Sequence, residues 1–421
     1  MYKKTTLENG LRIITVPAKN TKAVSVLALV GAGSKYETRE ENGISHFLEH
    51  MFFKGTDKRP TPLSVVETLD KVGGIFNAFT SKELTGYWAK ADSRHFELAL
   101  DWVSDIFLNS KFPSKEIEKE RGVIIEEINM YLDTPMSYIL DLWEKLLYGD
   151  QPAGWLTIGT KKNILEFKRD NFVNYVNNHY SSKNTIVCVA GNIDEKDAIE
   201  KVKDYFSKIN SEKIKPKLPV EEKQKKPNLL LHHKETDQTH LCLGVRGFDL
   251  FDKRRLSQSV LATILGGFMS SRLFMSVREE RGLAYYIKSA SDSATDTGYL
   301  VTRVGVDHKK AEEAVKVILE EYRKIRDKKI GEEELRKAKD YLRGTLTLSL
   351  ESSDTLASFY ASQEVLKGKI LTPEEKFKQL EEITVEDLKK VAEEIFVPEN
   401  LNLALIGPFK KAENFEKILN I

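Results

Sequence analysis

The chain has 421 residues, 41% of them apolar and 31% charged, with a formal net charge of +1. That length exceeds one ordinary core, so two or more domains are expected. Near-neutrality excludes a long-range field that would draw the chain to nucleic acid or an anionic membrane, and no run of about 18 apolar residues offers a membrane span.

The opening MYKKTTLENGLRII has no apolar stretch followed by a small-residue cleavage site, so no secretory leader is expected. Residues 11–17 and 23–31 alternate or run apolar, as strands do, and residues 44–53 show helical spacing. That helix carries Asn42-Gly43-Ile44-Ser45-His46-Phe47-Leu48-Glu49-His50-Met51, the most informative segment of the chain. Asn42 is placed to cap the helix and Gly55 to end it. His46 and His50, four apart, project from one face at a spacing that grips a single metal ion. Glu49 lies beside His50 and reaches the space next to the metal without being a ligand. Phe47, Leu48, Met51 and Phe52 would anchor the helix, and Phe53 would line a pocket for an apolar or aromatic residue. With eight histidines in the chain, chance gives roughly 0.15 His-x-x-x-His pairs, and on the order of 0.01–0.02 once Glu precedes the second His; H-x-x-E-H is the inverted counterpart of H-E-x-x-H.

Residues 62–72, 94–109 and 114–147 also read as helices. Catalytic zinc takes three protein ligands and leaves one position open, so two histidines need a partner. In PSKEIEKERGVIIEEINMYLD, residues Ile117, Ile124, Ile128 and Tyr131 form an apolar stripe. Glu120 and Glu127 share one shoulder of it, and Glu126 points to solvent. On periodicity alone, two partly exposed glutamates fit this pattern as well as a ligand does. Beside His46 and His50, ligation by Glu127 and support of a ligand histidine by Glu120 satisfy both carboxylates.

The lysine- and proline-rich segment 211–228 cannot bury a core and divides the chain into domains 1–210 and 229–421. The halves match in order. Gly86-Tyr87 aligns with Gly298-Tyr299, and helix, turn and buried strand ending at Gly191 align with the same sequence ending at Gly407. Strands, helices and strands again in each half point to an α+β layer with helices on one sheet face. Cys188 and Cys242, each inside an apolar strand, read as reduced core thiols and accord with a cytoplasmic location.

These residues resemble the pitrilysin family of metallopeptidases, which includes insulin-degrading enzyme and mitochondrial processing peptidase. The resemblance covers nearly the whole chain. Its H-x-x-E-H motif falls on His46, Glu49 and His50; its glutamate ligand, 77 residues further on, falls on Glu127; its supporting glutamate falls on Glu120. It implies one Zn2+ per chain and a duplicated α+β fold, each half a mostly antiparallel sheet packed with helices. GGIFNAFTSKELTGY resembles the strand along which the family lays its substrate, which makes Asn77, Ala78 and Phe79 candidates for backbone pairing. SSRLFMSVREERGLAYYI resembles the family's Arg/Tyr signature on Arg278 and Tyr285; composition alone reads Arg278 as a surface arginine, and the resemblance gives both a role at the scissile carbonyl. The implied activity is endopeptidase cleavage of short or unfolded polypeptides by a homodimer. The alternative is a non-catalytic subunit that keeps the fold for assembly or peptide holding; such relatives usually lack part of the metal motif, which is complete here.

Overall fold

The computed structural model describes residues 2–211 and 214–421; Glu212 and Lys213 of the expected linker lie outside the described residues. The chain forms two compact units. One comprises Met1–Asn129, Trp155–Leu218 and Thr347–Leu371, the other Met130–Gly154, Pro219–Leu346 and Thr372–Ile421.

In the first unit, β1 (Lys3–Thr6), β2 (Arg12–Pro17), β3 (Ala23–Val30), β4 (Ile75–Thr80), β5 (Thr85–Asp92) and β6 (Thr185–Gly191) make one sheet in the order β1-β2-β6-β3-β5-β4. Only β2 and β6 pair in parallel. Helices α1 (Ile44–Met51) and α2 (Pro62–Asp70) lie between β3 and β4 in the chain, and α3 (Phe96–Asn109) and α4 (Ser114–Leu132) follow β5. Helix α3 packs on β3 and β5. The opposite face of the sheet, with Ile14, Leu27, Leu29, Ile186 and Cys188, is covered by Ala357, Tyr360 and Ala361 of helix Ser353–Lys367. Helices therefore cover both faces, not one. That is why β3 and β6 read as nearly continuous apolar runs: each residue packs on a helix, whichever way it points.

The second unit holds β7 (Asn228–His233), β8 (Thr239–Arg246), β9 (Ala284–Ser293), β10 (Gly298–Val306) and β11 (Leu401–Gly407), ordered β7-β11-β8-β10-β9. This repeats the order β2-β6-β3-β5-β4, with β7 and β11 again the parallel pair. One face, with Cys242, Val301, Ala404 and Ile406, packs under Ile139, Leu142 and Trp143 of α5 (Pro135–Tyr148). The other packs on helices Arg255–Gly266, Ala311–Asp327 and Val385–Ile395. Each half of the sequence thus lends one helix to the other half's sheet.

Two details depart from the sequence reading. The helix expected over 114–147 is two helices. Pro135 opens the second, and a residue before proline is driven out of the helical region; Thr134 sits at φ −112°, ψ 82°. The Gly-Tyr match is also out of register. Leu27 lies between Cys188 and Trp88, and Cys242 lies between Ala404 and Arg303. Matching Gly191 to Gly407 makes Cys188 equivalent to Ala404, hence Trp88 to Arg303 and Tyr87 to Thr302, not to Tyr299. An odd shift reverses the face of a strand residue. Tyr87 accordingly packs on Phe52 and Phe107, whereas Tyr299 meets Trp143 of the lent helix.

The first unit also buries a titratable group that should govern its acid stability. His179 is 1% exposed, neither ring nitrogen has a hydrogen-bond partner among the described residues, and the ring lies against Tyr36 and Tyr175. Burial, helped by Lys215, pushes its pKa from 6.5 down to about 4. The neutral ring is the favoured form, so its contribution is intact above pH 6.5 and lost as pH falls through about 4, amounting to about 3 kcal/mol. Replacing His179 by Phe should remove that part of the loss. Equal falls in urea midpoint for both proteins between pH 7 and pH 4 would contradict this.

Candidate metal centre

Helix α1 is eight residues long and is held from both ends of its surroundings. Phe47, Leu48 and Met51 are fully buried beneath it, which leaves His46 and His50 on the accessible side. Helix α4 places Ile117, Ile124 and Ile128 in the core and Glu126 in solvent, with Glu120 buried and Glu127 half-buried, both facing α1.

The three ligand candidates converge. Nε2 of His46 is 3.5 Å from Oε1 of Glu127, and Nε2 of His50 is 3.5 Å from Oε2 of the same carboxylate. One donor atom from each of the three can be chosen so that all lie within 4.8 Å of one another. A separation of 3.5 Å is too long for a good hydrogen bond, which spans about 2.7–3.2 Å. Four ligands set tetrahedrally about 2.1 Å from a zinc ion are, however, roughly 3.4 Å apart. The donor set, two imidazoles and a carboxylate, is also that of catalytic zinc sites. The residues fit zinc.

Behind the trio, Oε1 of Glu120 lies 2.9 Å from Nδ1 of His50, and Oε2 accepts from Nζ of Lys54 at 2.6 Å. A carboxylate on Nδ1 fixes the tautomer that presents Nε2 to a metal. Nδ1 of His46 is buried with no partner among the described residues, so the two histidines are supported unequally. The electrostatics follow from the geometry. Burial opposes a charge on His50, but Glu120 and Glu127 outweigh it and raise its pKa to about 9. The two imidazoles hold Glu127 well below the usual carboxylate range. Burial works against ionised Glu120, yet His50 and Lys54 still lower its pKa. His50 would give up the proton on Nε2 to serve as a ligand there.

Glu49 stands outside the trio and lines, with His50, a cavity of about 330 Å³ whose other walls include Phe53, Val66, Phe76 and Asn77. Phe53 and Phe76 lie tilted against each other and against Trp102, so packed aromatic rings form part of the apolar wall. Asn77, Ala78 and Phe79 lie on β4, an edge strand of the sheet. The N–H of Ala78 donates to Oδ1 of Asn77 at 2.9 Å.

Two sequence profiles cover most of this chain: "Insulinase (Peptidase family M16)" matches residues 12–161, and "Peptidase M16 inactive domain" matches residues 166–342. An uncharacterized zinc protease of Bacillus subtilis, YmxG, is 37% identical over 97% of this chain and 98% of its own length. The chain belongs to peptidase family M16. An uncharacterized zinc protease of Mycobacterium leprae is 34% identical over 99% of this chain and 94% of its own. The solved structure of a protease from Helicobacter pylori shares 25% identity at a TM-score of 0.92, covering 97% of this chain and 99% of that one. His46, Glu49, His50, Glu120 and Glu127 all fall within the first profile, and Arg278 and Tyr285 within the second.

In the second unit the M16 resemblance singles out Arg278 and Tyr285, and the fold brings them together. Arg278 sits in a six-residue π-helix, Phe274–Glu279, with its guanidinium 4.8 Å from the ring centre of Phe274 and 5.0 Å from that of Tyr285. π-Helices recur at functional sites. Tyr285 is 77% exposed.

Some residues around α1 behave differently from expectation. Asn42 does not cap the helix: its Nδ2 donates to Glu37 and to the carbonyl of Leu156, and Gly43, at φ +101°, takes the cap position. The helix ends at Met51, and Gly55, at φ +123°, serves the turn beyond it, where a Cβ would come 2.9 Å from the carbonyl of Pro60. Glu37 and Lys54 escaped the sequence reading. Lys54 sits four after His50 on the helical period and could have been found as a partner for Glu120; nothing in the spacing of Glu37 marks it.

Proposed function

We propose that this chain is a zinc-dependent endopeptidase that hydrolyses short or unfolded polypeptides, with His46, His50 and Glu127 as ligands. The observation that carries the reading is the convergence of His46, His50 and Glu127, one donor atom from each within 4.8 Å of the others, with the two oxygens of Glu127 each 3.5 Å from one imidazole. Zinc bound there supplies Lewis acidity for a water and for the peptide carbonyl. Glu49, beside the trio and open to the cavity, accepts the proton of the attacking water and later delivers it to the leaving amine. Glu120 keeps His50 in its ligating tautomer. The family resemblance supports a role for Arg278 and Tyr285 as donors to the developing oxyanion.

The outer strand β4 offers backbone at Asn77, Ala78 and Phe79 for an added substrate strand. The aromatic wall of Phe53 and Phe76 favours a large apolar side chain next to the cut bond. Digesting a mixed peptide library should give cuts enriched in aromatic and large aliphatic residues at one flanking position, and chelator should abolish them. Cutting that survives chelator, or shows no such enrichment, contradicts the metal or the pocket respectively.

The competing reading is a non-catalytic subunit, and the profile description "inactive domain" favours it for residues 166–342 only. A chain that takes up zinc yet never cleaves would support it. We place the enzyme in the cytoplasm as a homodimer, on the buried free cysteines and the family resemblance. Cell fractionation and light scattering at working concentration test these two points.

A further inference from the structure

Helix α1 carries His46, Glu49 and His50 in eight residues, far fewer than the roughly 12–15 at which an isolated helix becomes even marginal in water. Its first turn exposes backbone N–H groups that need acceptors. The residue at the cap is Gly43, which has no side chain to offer. Gly43 packs on Gly159 so closely that a Cβ on it would lie 2.8 Å from the Cα of Gly159, which excludes the side chains that ordinarily cap.

The acceptor comes instead from Glu37. Its Oε2 accepts from the N–H of Gly43 at 2.9 Å and from Nδ2 of Asn42 at 3.0 Å, and its Oε1 accepts from the N–H of Ser45 at 2.9 Å. Glu37 is 2% exposed, and no cation pairs with it among the described residues. An unpaired buried carboxylate is costly, and here its compensation comes from three N–H donors aimed at the start of α1. Ser45 precedes the ligand His46 and is held again through its hydroxyl, 2.8 Å from that of Tyr175.

We infer that Glu37 is a positioning residue for zinc: by gripping the N–H groups of Gly43 and Ser45 it fixes the first turn of α1, and so holds the imidazole of His46 at bonding distance from the metal shared with Glu127. His46 depends on this grip more than His50 does, because only His50 has a carboxylate on its second ring nitrogen. The inference rests on the metal reading proposed above.

Glu37→Gln keeps the shape but leaves one acceptor oxygen and sets an NH2 group against N–H donors. In the full chain it should weaken zinc affinity, read by chelator competition, by about 10- to 100-fold, the usual cost of losing an outer partner of a ligand. Glu364→Gln is the control. Glu364 is an equally buried carboxylate of the same unit, bonded to Lys4, and its loss should lower the melting temperature with zinc affinity unchanged. Wild-type affinity in folded Glu37→Gln, or an equal loss of affinity in the control, overturns the inference. Should Glu37→Gln fail to fold, Asn42→Ala removes one of the three donors and should weaken zinc severalfold; wild-type affinity in that variant overturns it too. If the wild-type chain takes up no zinc, the functional reading fails first and this one with it.

Discussion

Glu49→Gln should leave zinc bound at about one ion per chain while peptide cleavage falls by a factor of about 10³ or more. Glutamine matches glutamate in shape but cannot accept a proton at neutral pH, and general-base catalysis contributes typically 10²–10⁴-fold. Glu49 shares the cavity wall with His50 and lies outside the set of atoms that converge on the metal position. Its replacement therefore removes proton transfer and spares coordination. The same substitution should leave KM for a peptide substrate nearly unchanged, because an interaction made only on the way to the transition state appears in kcat. Full activity in this variant would remove Glu49 from the mechanism.

Glu127→Gln should have the largest effect on the metal itself. Its carboxylate faces both imidazoles at 3.5 Å, and the neutral amide removes the only negative charge in the ligand set. Glu120→Gln, by contrast, keeps all three ligands and loses only the group behind His50. Losing such an outer partner costs about 10–100-fold in metal affinity. Glu127→Gln should cost more than that, so chelator competition must order the two with Glu127→Gln the weaker binder. The reverse order would mean that Glu120, not Glu127, faces the ion. Both variants should keep the fold, since Glu127 lies at the boundary and the core face of α4 rests on Ile117, Ile124 and Ile128.

The site was legible wherever local periodicity determines geometry. His46, Glu49 and His50 share one helix, so their spacing alone sets their relation, and the shoulder position of Glu120 and Glu127 follows from the helical period once the apolar stripe is recognised. Phe53 was legible as the neighbour of that helix. Glu37 was not, because it reaches α1 through an irregular loop whose path no periodicity encodes. The repeat of strand order was legible as a repeat in sequence, but Gly86-Tyr87 and Gly298-Tyr299 misled as to register: two short identities outweighed a three-residue shift that only ladder pairing reveals. The exchange of α5 and helix Ser353–Lys367 between units depends on which apolar faces meet over long sequence separations. The break before Pro135 could have been foreseen from the proline itself.

His46, His50 and Glu127 together offer a place for one ion. Crystals of the zinc-loaded chain, measured at the zinc absorption edge, should show one anomalous peak per chain about 2.0–2.2 Å from Nε2 of His46, Nε2 of His50 and a carboxylate oxygen of Glu127, with a fourth direction free of protein ligands. A peak elsewhere, no peak at all, or a carboxylate of Glu127 turned away from the ion would rule out this zinc site.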